Sequence, residues 1–200
     1  MQKHCLILLL FSLSLFAQKK EILLDENENI ITGEIFKEKV KDPYKYHYTI
    51  IETDTATVGK LVPTEEIGKM TENDRLGIID ELEKLSGRKI SHSQTIVINF
   101  YFKEPEKNQR PCIDHYTTDK SYQRFFERNN EYSQFFITEK GFDYNKENVI
   151  EDKNGIIKDT AFPYVFHCGN YIIIKPNGQF LRRVSEHRQD EILDKAKENW

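Results

Sequence analysis

The sequence predicts an α/β fold in which a sheet lies between helices, preceded by a smaller α/β extension. Three observations predict it. Thr95 to Phe102 is a dense run of β-branched and aromatic residues, the pattern of a strand buried on both faces. From that strand onward, strand and helix patterns alternate, which sets helices against the faces of one sheet. Near the C-terminus Asn177-Gly178 separates two apolar runs, a strong short-range hairpin pattern.

Each element follows from local chemistry. After Ile22-Leu23-Leu24, the run Asp25 to Glu28 reads as a polar turn. Thr32 can cap a short helix through Ile35, Phe36 and Val40, which Asp42-Pro43 would stop. Tyr44, Tyr46, Tyr48 and Ile50 then alternate with polar residues, as in a half-buried strand whose tyrosine stripe packs inward. Ala56 to Val62 is its hairpin partner, and the pair is expected to extend the main sheet, because two strands alone are marginal. Thr71 opens the clearest helix. Glu72 and Asp74 suit its positive end, Leu76, Ile79, Leu82 and Leu85 form one apolar face, and Gly87 ends it.

Beyond the strand at Thr95, Lys103 to Pro111 is a polar loop. Thr118 or Asp119 caps a helix that turns Tyr122, Phe125 and Phe126 inward. Ser133 to Thr138 reads as a second buried strand. Val149, Ile150, Ile156 and Ile157 suggest a helix that Asn154-Gly155 can break. Tyr171 to Ile174 and Gln179 to Val184 flank the Asn-Gly turn, and Glu186 to Asn199 carries Ile192 and Leu193 in a terminal helix.

Composition limits the function. The chain has 200 residues, 29 basic against 33 acidic, a net charge of −4 and an acidic pI near 5.9. Nucleic-acid binders normally present a basic face, so no nucleic-acid partner is expected. The mean hydropathy of −0.66 excludes a polytopic membrane protein. Met1 to His4 is a short basic start, and Cys5 to Ala17 is an apolar run too short for a confident bilayer span of about 20 residues. That pattern describes a secretory signal peptide, residues 1–17, with Ala17 the best cleavage residue. The mature chain is expected to be exported, periplasmic or secreted, with no membrane span. It retains two of the three cysteines, Cys112 and Cys168, an even pair in an oxidising compartment.

The candidate chemistry is sparse. Cys112, Asp114 and His115 invite a nucleophile-and-base reading, but no Gly-rich elbow or oxyanion-hole sequence accompanies them. Cys112 and His115 with His167 and Cys168 offer two sulfurs and two nitrogens, though not at the spacing of a zinc finger or ribbon. Arg182-Arg183 reads as a solvated basic pair, and Glu65-Glu66 and Asp80-Glu81 as ordinary acids. No metal and no cofactor is expected. Phosphate-loop, dinucleotide, HExxH and Gly-x-Ser-x-Gly patterns are absent.

The element order from Thr95, together with the hairpin Tyr171-Ile-Ile-Ile-Lys-Pro-Asn-Gly-Gln-Phe180, resembles the thioredoxin-like superfamily. The resemblance implies a thioredoxin-like three-layer core (βαβ-α-ββ-α) over residues 95–200, with residues 18–94 as an N-terminal α/β extension. Redox members carry Cys-x-x-Cys after the first core strand; this chain has Pro111-Cys112-Ile113-Asp114-His115 there, with one cysteine. Where the family has a proline before the hairpin, this chain has Gly169-Asn170. No catalytic residue is carried over. The implied fold does set the loops of Cys112 and Cys168 face to face across the sheet end, so a Cys112–Cys168 disulfide is expected. With Cys112, His115 and His167 as a candidate site, two functions stand. One is a non-catalytic binding or structural module for an unknown ligand or protein partner. The other is a thiol–disulfide or metal-handling protein using Cys112.

Overall fold

A computed structural model describes residues 19–104 and 112–200. The predicted signal peptide and most of the loop before Cys112 lie outside the described residues. The chain forms two sheets. In the first, β1 (Lys20–Leu24) pairs in parallel with β3 (Ala56–Pro63), which pairs antiparallel with β2 (Tyr46–Glu52). Between β1 and β2 lies α1 (Gly33–Lys39), capped by Thr32, whose Oγ1 accepts the Ile35 N–H at 3.3 Å.

The expected hairpin exists but does not join the main sheet. Its place at that edge is taken by β4 (Glu65–Lys69), which pairs antiparallel with β9 (Gln179–Arg183). Thr64 makes the crossing: its N–H donates to Lys45 O, and its own carbonyl accepts the Val184 N–H. The hairpin instead gains β1 as its third strand, which satisfies the same need for more than two strands. The tyrosine stripe is therefore not core. Tyr44 is 84% exposed, Tyr48 51% and Ile50 59%.

The second sheet has the order β4-β9-β8-β5-β6-β7. Its centre is β5 (Thr95–Tyr101), buried at every position as its composition predicts. β6 (Tyr132–Thr138) runs parallel to β5, and β8 (Asn170–Ile174) runs antiparallel to it. β8 returns through Asn177-Gly178 into β9, and β7 (Val149–Glu151) lies parallel beside β6. The four strands β5, β6, β8 and β9, with their order and directions, form the expected core.

Alternation along β5 divides the interior in two. Ile96, Ile98 and Phe100 face α2 (Glu72–Ser86) and α5 (Ile156–Ala161), packing on Ile78, Ile79, Leu82, Ile157 and Ala161. Val97 and Tyr101 face α3 (Cys112–Thr117), α4 (Lys120–Arg128) and α6 (Gln189–Lys197), packing on Ile113, Tyr116, Tyr122, Phe126 and Ile192. Each buried Ile or Leu contributes about 1.5–3 kcal/mol relative to exposure, so the two layers supply most of the driving force.

Two sequence readings change here. The buried face of α2 runs through Arg75, Ile78, Ile79 and Leu82, and Leu76 and Leu85 sit at its margins. Arg182-Arg183 is not solvated. The two side chains are only 13% and 17% exposed; Arg182 donates to Ala161 O and pairs with Glu66. Among the described residues no helix is long and apolar enough to cross a membrane.

Candidate functional site

The two mature cysteines meet at one end of the main sheet. Cys112 is the first residue of α3, and its N–H donates to Glu104 Oε1 at 2.7 Å. Cys168 lies in the loop that enters β8. They are joined as a disulfide, 56 residues apart in sequence and 5.0 Å between Cα atoms. Both residues are partly exposed.

The loop that presents Cys168 is held in an unusual shape. Cys168 has φ +67° and Gly169 φ +99°, so two consecutive residues lie in the left-handed region. For a residue with a Cβ that conformation costs roughly 1–2 kcal/mol. Asn170, fully buried, holds the turn: its Nδ2 donates to Phe166 O at 2.8 Å and Phe100 O at 3.3 Å, and its Oδ1 accepts the Ser185 N–H. Gly169 is needed for a second reason. A Cβ there would stand 3.1 Å from Tyr116 Cε2 and 3.3 Å from His187 Cε1.

Those two rings form the wall beside the disulfide. Tyr116 stacks on His187 with centroids 4.8 Å apart, and Tyr171 meets the same imidazole edge-on at 4.8 Å. The Tyr116 hydroxyl donates to His187 O at 3.1 Å and accepts the His187 N–H at 3.2 Å, which ties α3 to the turn before α6. Burial pushes the His187 imidazole down to about 4, so the ring is neutral at ordinary pH. Its Nδ1 lies 3.1 Å from Ser185 O, an acceptor, which places the proton on Nδ1. Nε2 has no hydrogen-bond partner among the described residues.

A cleft of about 540 Å³ opens in front of this wall. Cys112, His115, Tyr116, Arg183, Glu186 and His187 line it, together with Tyr44, Arg188 and Glu191. The cleft takes in residues from the extension, α3, β9 and α6. On the far side of the disulfide loop, the ring of Phe166 lies 5.4 Å from His47, and Lys60 Nζ lies 5.5 Å from the Tyr164 ring centroid. The first sheet therefore backs the loop that carries Cys168.

The structure separates the sequence-derived candidates. Cys112 and Cys168 come together. His115 is exposed at the cleft with its ring against Tyr116, and His167 is exposed on the loop. Neither imidazole belongs to the one group of potential metal donors found among the described residues, Glu104 with Cys112 and Cys168, whose ligand atoms lie within 4.8 Å of one another. Both sulfurs of that group are bonded to each other, so among the described residues no free set of three donors remains. Glu186, His187 and Glu104 carry no sign of a site in the sequence, because only the fold brings them to Cys112, from as far as 75 positions away. Arg183 carried a weak trace: a charged residue inside a predicted sheet strand.

No protein-family model matches the chain, and no curated protein matches it. Among solved structures it is similar to the exposed lipoprotein thioredoxin Etrx1 of Streptococcus pneumoniae strain TIGR4, at 14% identity over 54% of this chain and 87% of that one, with a TM-score of 0.40. It is also similar to a secreted Mycobacterium tuberculosis disulfide oxidoreductase homologous to E. coli DsbE, at 13% identity over 52% and 81% of the two chains, TM-score 0.37. A third is BsSco, a member of the Sco family of cytochrome c oxidase assembly proteins, at 15% identity over 77% and 92%, TM-score 0.34. The strand order and directions of β5, β6, β8 and β9, with α3, α4 and α6 on one face and α5 on the other, make the core of this chain a thioredoxin-like fold.

Proposed function

We propose that this is an extracytoplasmic thiol–disulfide exchange protein, with Cys112 and Cys168 as its redox couple. One observation carries the reading: the disulfide is not sealed in the core but forms part of the wall of an open cleft, through Cys112. Exchange needs a thiolate to reach a sulfur along an open path, and access decides which bridges react. Attack at Cys112 Sγ would expel Cys168 as the leaving thiolate. The basic start and 13-residue apolar run at the N-terminus support export to a compartment where such a bond forms.

A second reading keeps the bond as a permanent clasp on a binding module. It draws on the Tyr116–His187 pair, which already fastens α3 to the turn before α6, so that the bridge adds to an existing tether. The two readings separate in the route of reduction. Under exchange, dithiothreitol reduces the folded protein directly, at a rate proportional to its concentration and unchanged by low urea. Under the clasp, reduction waits on unfolding, so its rate levels off with dithiothreitol and rises steeply with urea. Trapping of free thiols followed by mass measurement reads either course.

A further inference from the structure

The charges of the cleft do not cancel among themselves. The exposed Arg188 is held by Asp190 at 2.5 Å and Glu191 at 3.9 Å, so that group is internally paired. Arg183, 17% exposed, pairs among the described residues with Glu65 alone, at 3.8 Å, and Glu65 is already bound by Lys195 at 2.8 Å. Glu186 forms no ion pair or hydrogen bond through its side chain among the described residues. Arg183 and Glu186 do not pair with each other either, although both line the cleft with Cys112. His187, which follows Glu186 in sequence and stacks on Tyr116 in the wall, is neutral and adds no third charge. The cleft thus offers one underused guanidinium and one free carboxylate beside an accessible sulfur.

We propose that this cleft selects a small zwitterionic aminothiol, of which free cysteine is the simplest, as the exchange partner of the Cys112–Cys168 bond. The substrate carboxylate meets Arg183 and its ammonium meets Glu186, which brings its sulfur to Cys112. The inference rests on the exchange reading and names its substrate. The chemistry balances in two steps. A cysteine thiolate attacks Cys112 Sγ, forming a mixed disulfide and releasing Cys168 as thiolate, which takes a proton from water. A second cysteine thiolate then attacks the sulfur of the bound cysteine, releasing Cys112 as thiolate. Two cysteines become one cystine, and two electrons pass to the protein pair; the reverse direction reduces cystine.

The test compares three thiols on the full chain: L-cysteine, cysteamine, which lacks the carboxylate, and 3-mercaptopropionate, which lacks the ammonium. Rates are corrected for thiolate fraction and nucleophilicity. Cysteine is expected to react at least about tenfold faster than either analogue, with saturation, since one well-placed charged contact is worth about a factor of ten. The exposed substitution Glu186→Gln should bring cysteine down to the rate of 3-mercaptopropionate and leave that analogue unchanged. Arg183→Gln should bring it down to cysteamine. Equal corrected rates for the three thiols, or a cysteine preference that survives both substitutions, would overturn the assignment while leaving exchange intact. If no thiol, dithiothreitol included, reduces the folded protein, the exchange reading falls as well and the assignment with it.

Discussion

Asp152→Asn should stabilise this protein at neutral pH, which is an unusual expectation for a fully buried, hydrogen-bonded residue. Asp152 follows β7 and is 0% exposed; Glu81 on α2 is 1% exposed and lies near enough for its charge to act on Asp152. Asp152 Oδ2 accepts the Lys158 N–H at 2.9 Å, while Oδ1 has no partner among the described residues. Glu81 Oε1 accepts from Asn154 at 2.7 Å, and its other oxygen has, among the described residues, only the exposed Lys84 at 3.8 Å. Burial first, and the Glu81 charge in addition, raise the Asp152 carboxyl above its ordinary range, against the backbone donors that lower it. The sign follows from linkage. A carboxyl with a raised folded-state pKa contributes stability that is complete below its unfolded value, about 3.9, and lost as pH rises through the folded value.

Asparagine keeps the acceptor for Lys158 and removes the charge. Removing a charge that burial and the Glu81 carboxylate both disfavour outweighs the about 1 kcal/mol that the Lys158 bond loses when its acceptor becomes neutral, so the variant should be more stable by about 1 kcal/mol at pH 7. Urea unfolding of both proteins from pH 4 to pH 8 measures it. The two curves of stability against pH should converge near pH 4 and separate as pH rises. A variant less stable at pH 7, or a difference constant across that range, would refute the reasoning.

Three further predictions follow from other parts of the fold. Arg75, 5% exposed, donates to the carbonyls of Lys175, His92 and Gln94, so Arg75→Met should cost about 3 kcal/mol in urea unfolding by stranding buried acceptors. Gly178 turns the β8–β9 hairpin at φ +82°, and a Cβ there would lie 3.0 Å from the Met70 carbonyl oxygen; Gly178→Ala should lower stability by about 1–2 kcal/mol and the midpoint of thermal unfolding with it. The double substitution Cys112→Ser, Cys168→Ser opens a loop of 56 residues, and chain entropy puts the loss at about 4 kcal/mol, less whatever strain at Cys168 is released. That loss should be visible as a lower urea midpoint.

The core was readable because its elements carry local instructions. Thr32, Thr71 and Asp119 cap their helices as their side chains allow, Gly87 ends α2 in the left-handed conformation, and Asn177-Gly178 turns the hairpin. What escaped depends on partners far away. Glu65–Lys69 looks like a polar connector, and only β9, more than a hundred residues later, makes it a strand. Its Glu65 and Glu66 then bury the charges of Arg183 and Arg182, a pairing that composition cannot show. Likewise Tyr44 and Tyr48 alternate like core residues, yet Tyr44 lies in the turn before β2 and Tyr48 on that strand stays half exposed. The cysteine pairing follows from the fold that the element order and the hairpin imply. The cleft in front of it was not, because Arg183, Glu186 and His187 acquire meaning only once β9 and the turn before α6 are set against α3.

The central claim, that Cys112–Cys168 is a working redox couple, is tested most directly by its midpoint potential in the folded full-length chain, equilibrated against graded glutathione or dithiothreitol buffers and read by thiol trapping. Structural bridges in exported proteins fall below about −300 mV, beyond the reach of cellular thiol pools. A redox couple should titrate above that boundary, with reduced and oxidised forms both folded and interconverting within the range of glutathione buffers. A bond that stays closed until the protein unfolds, or titrates below that boundary, would contradict it.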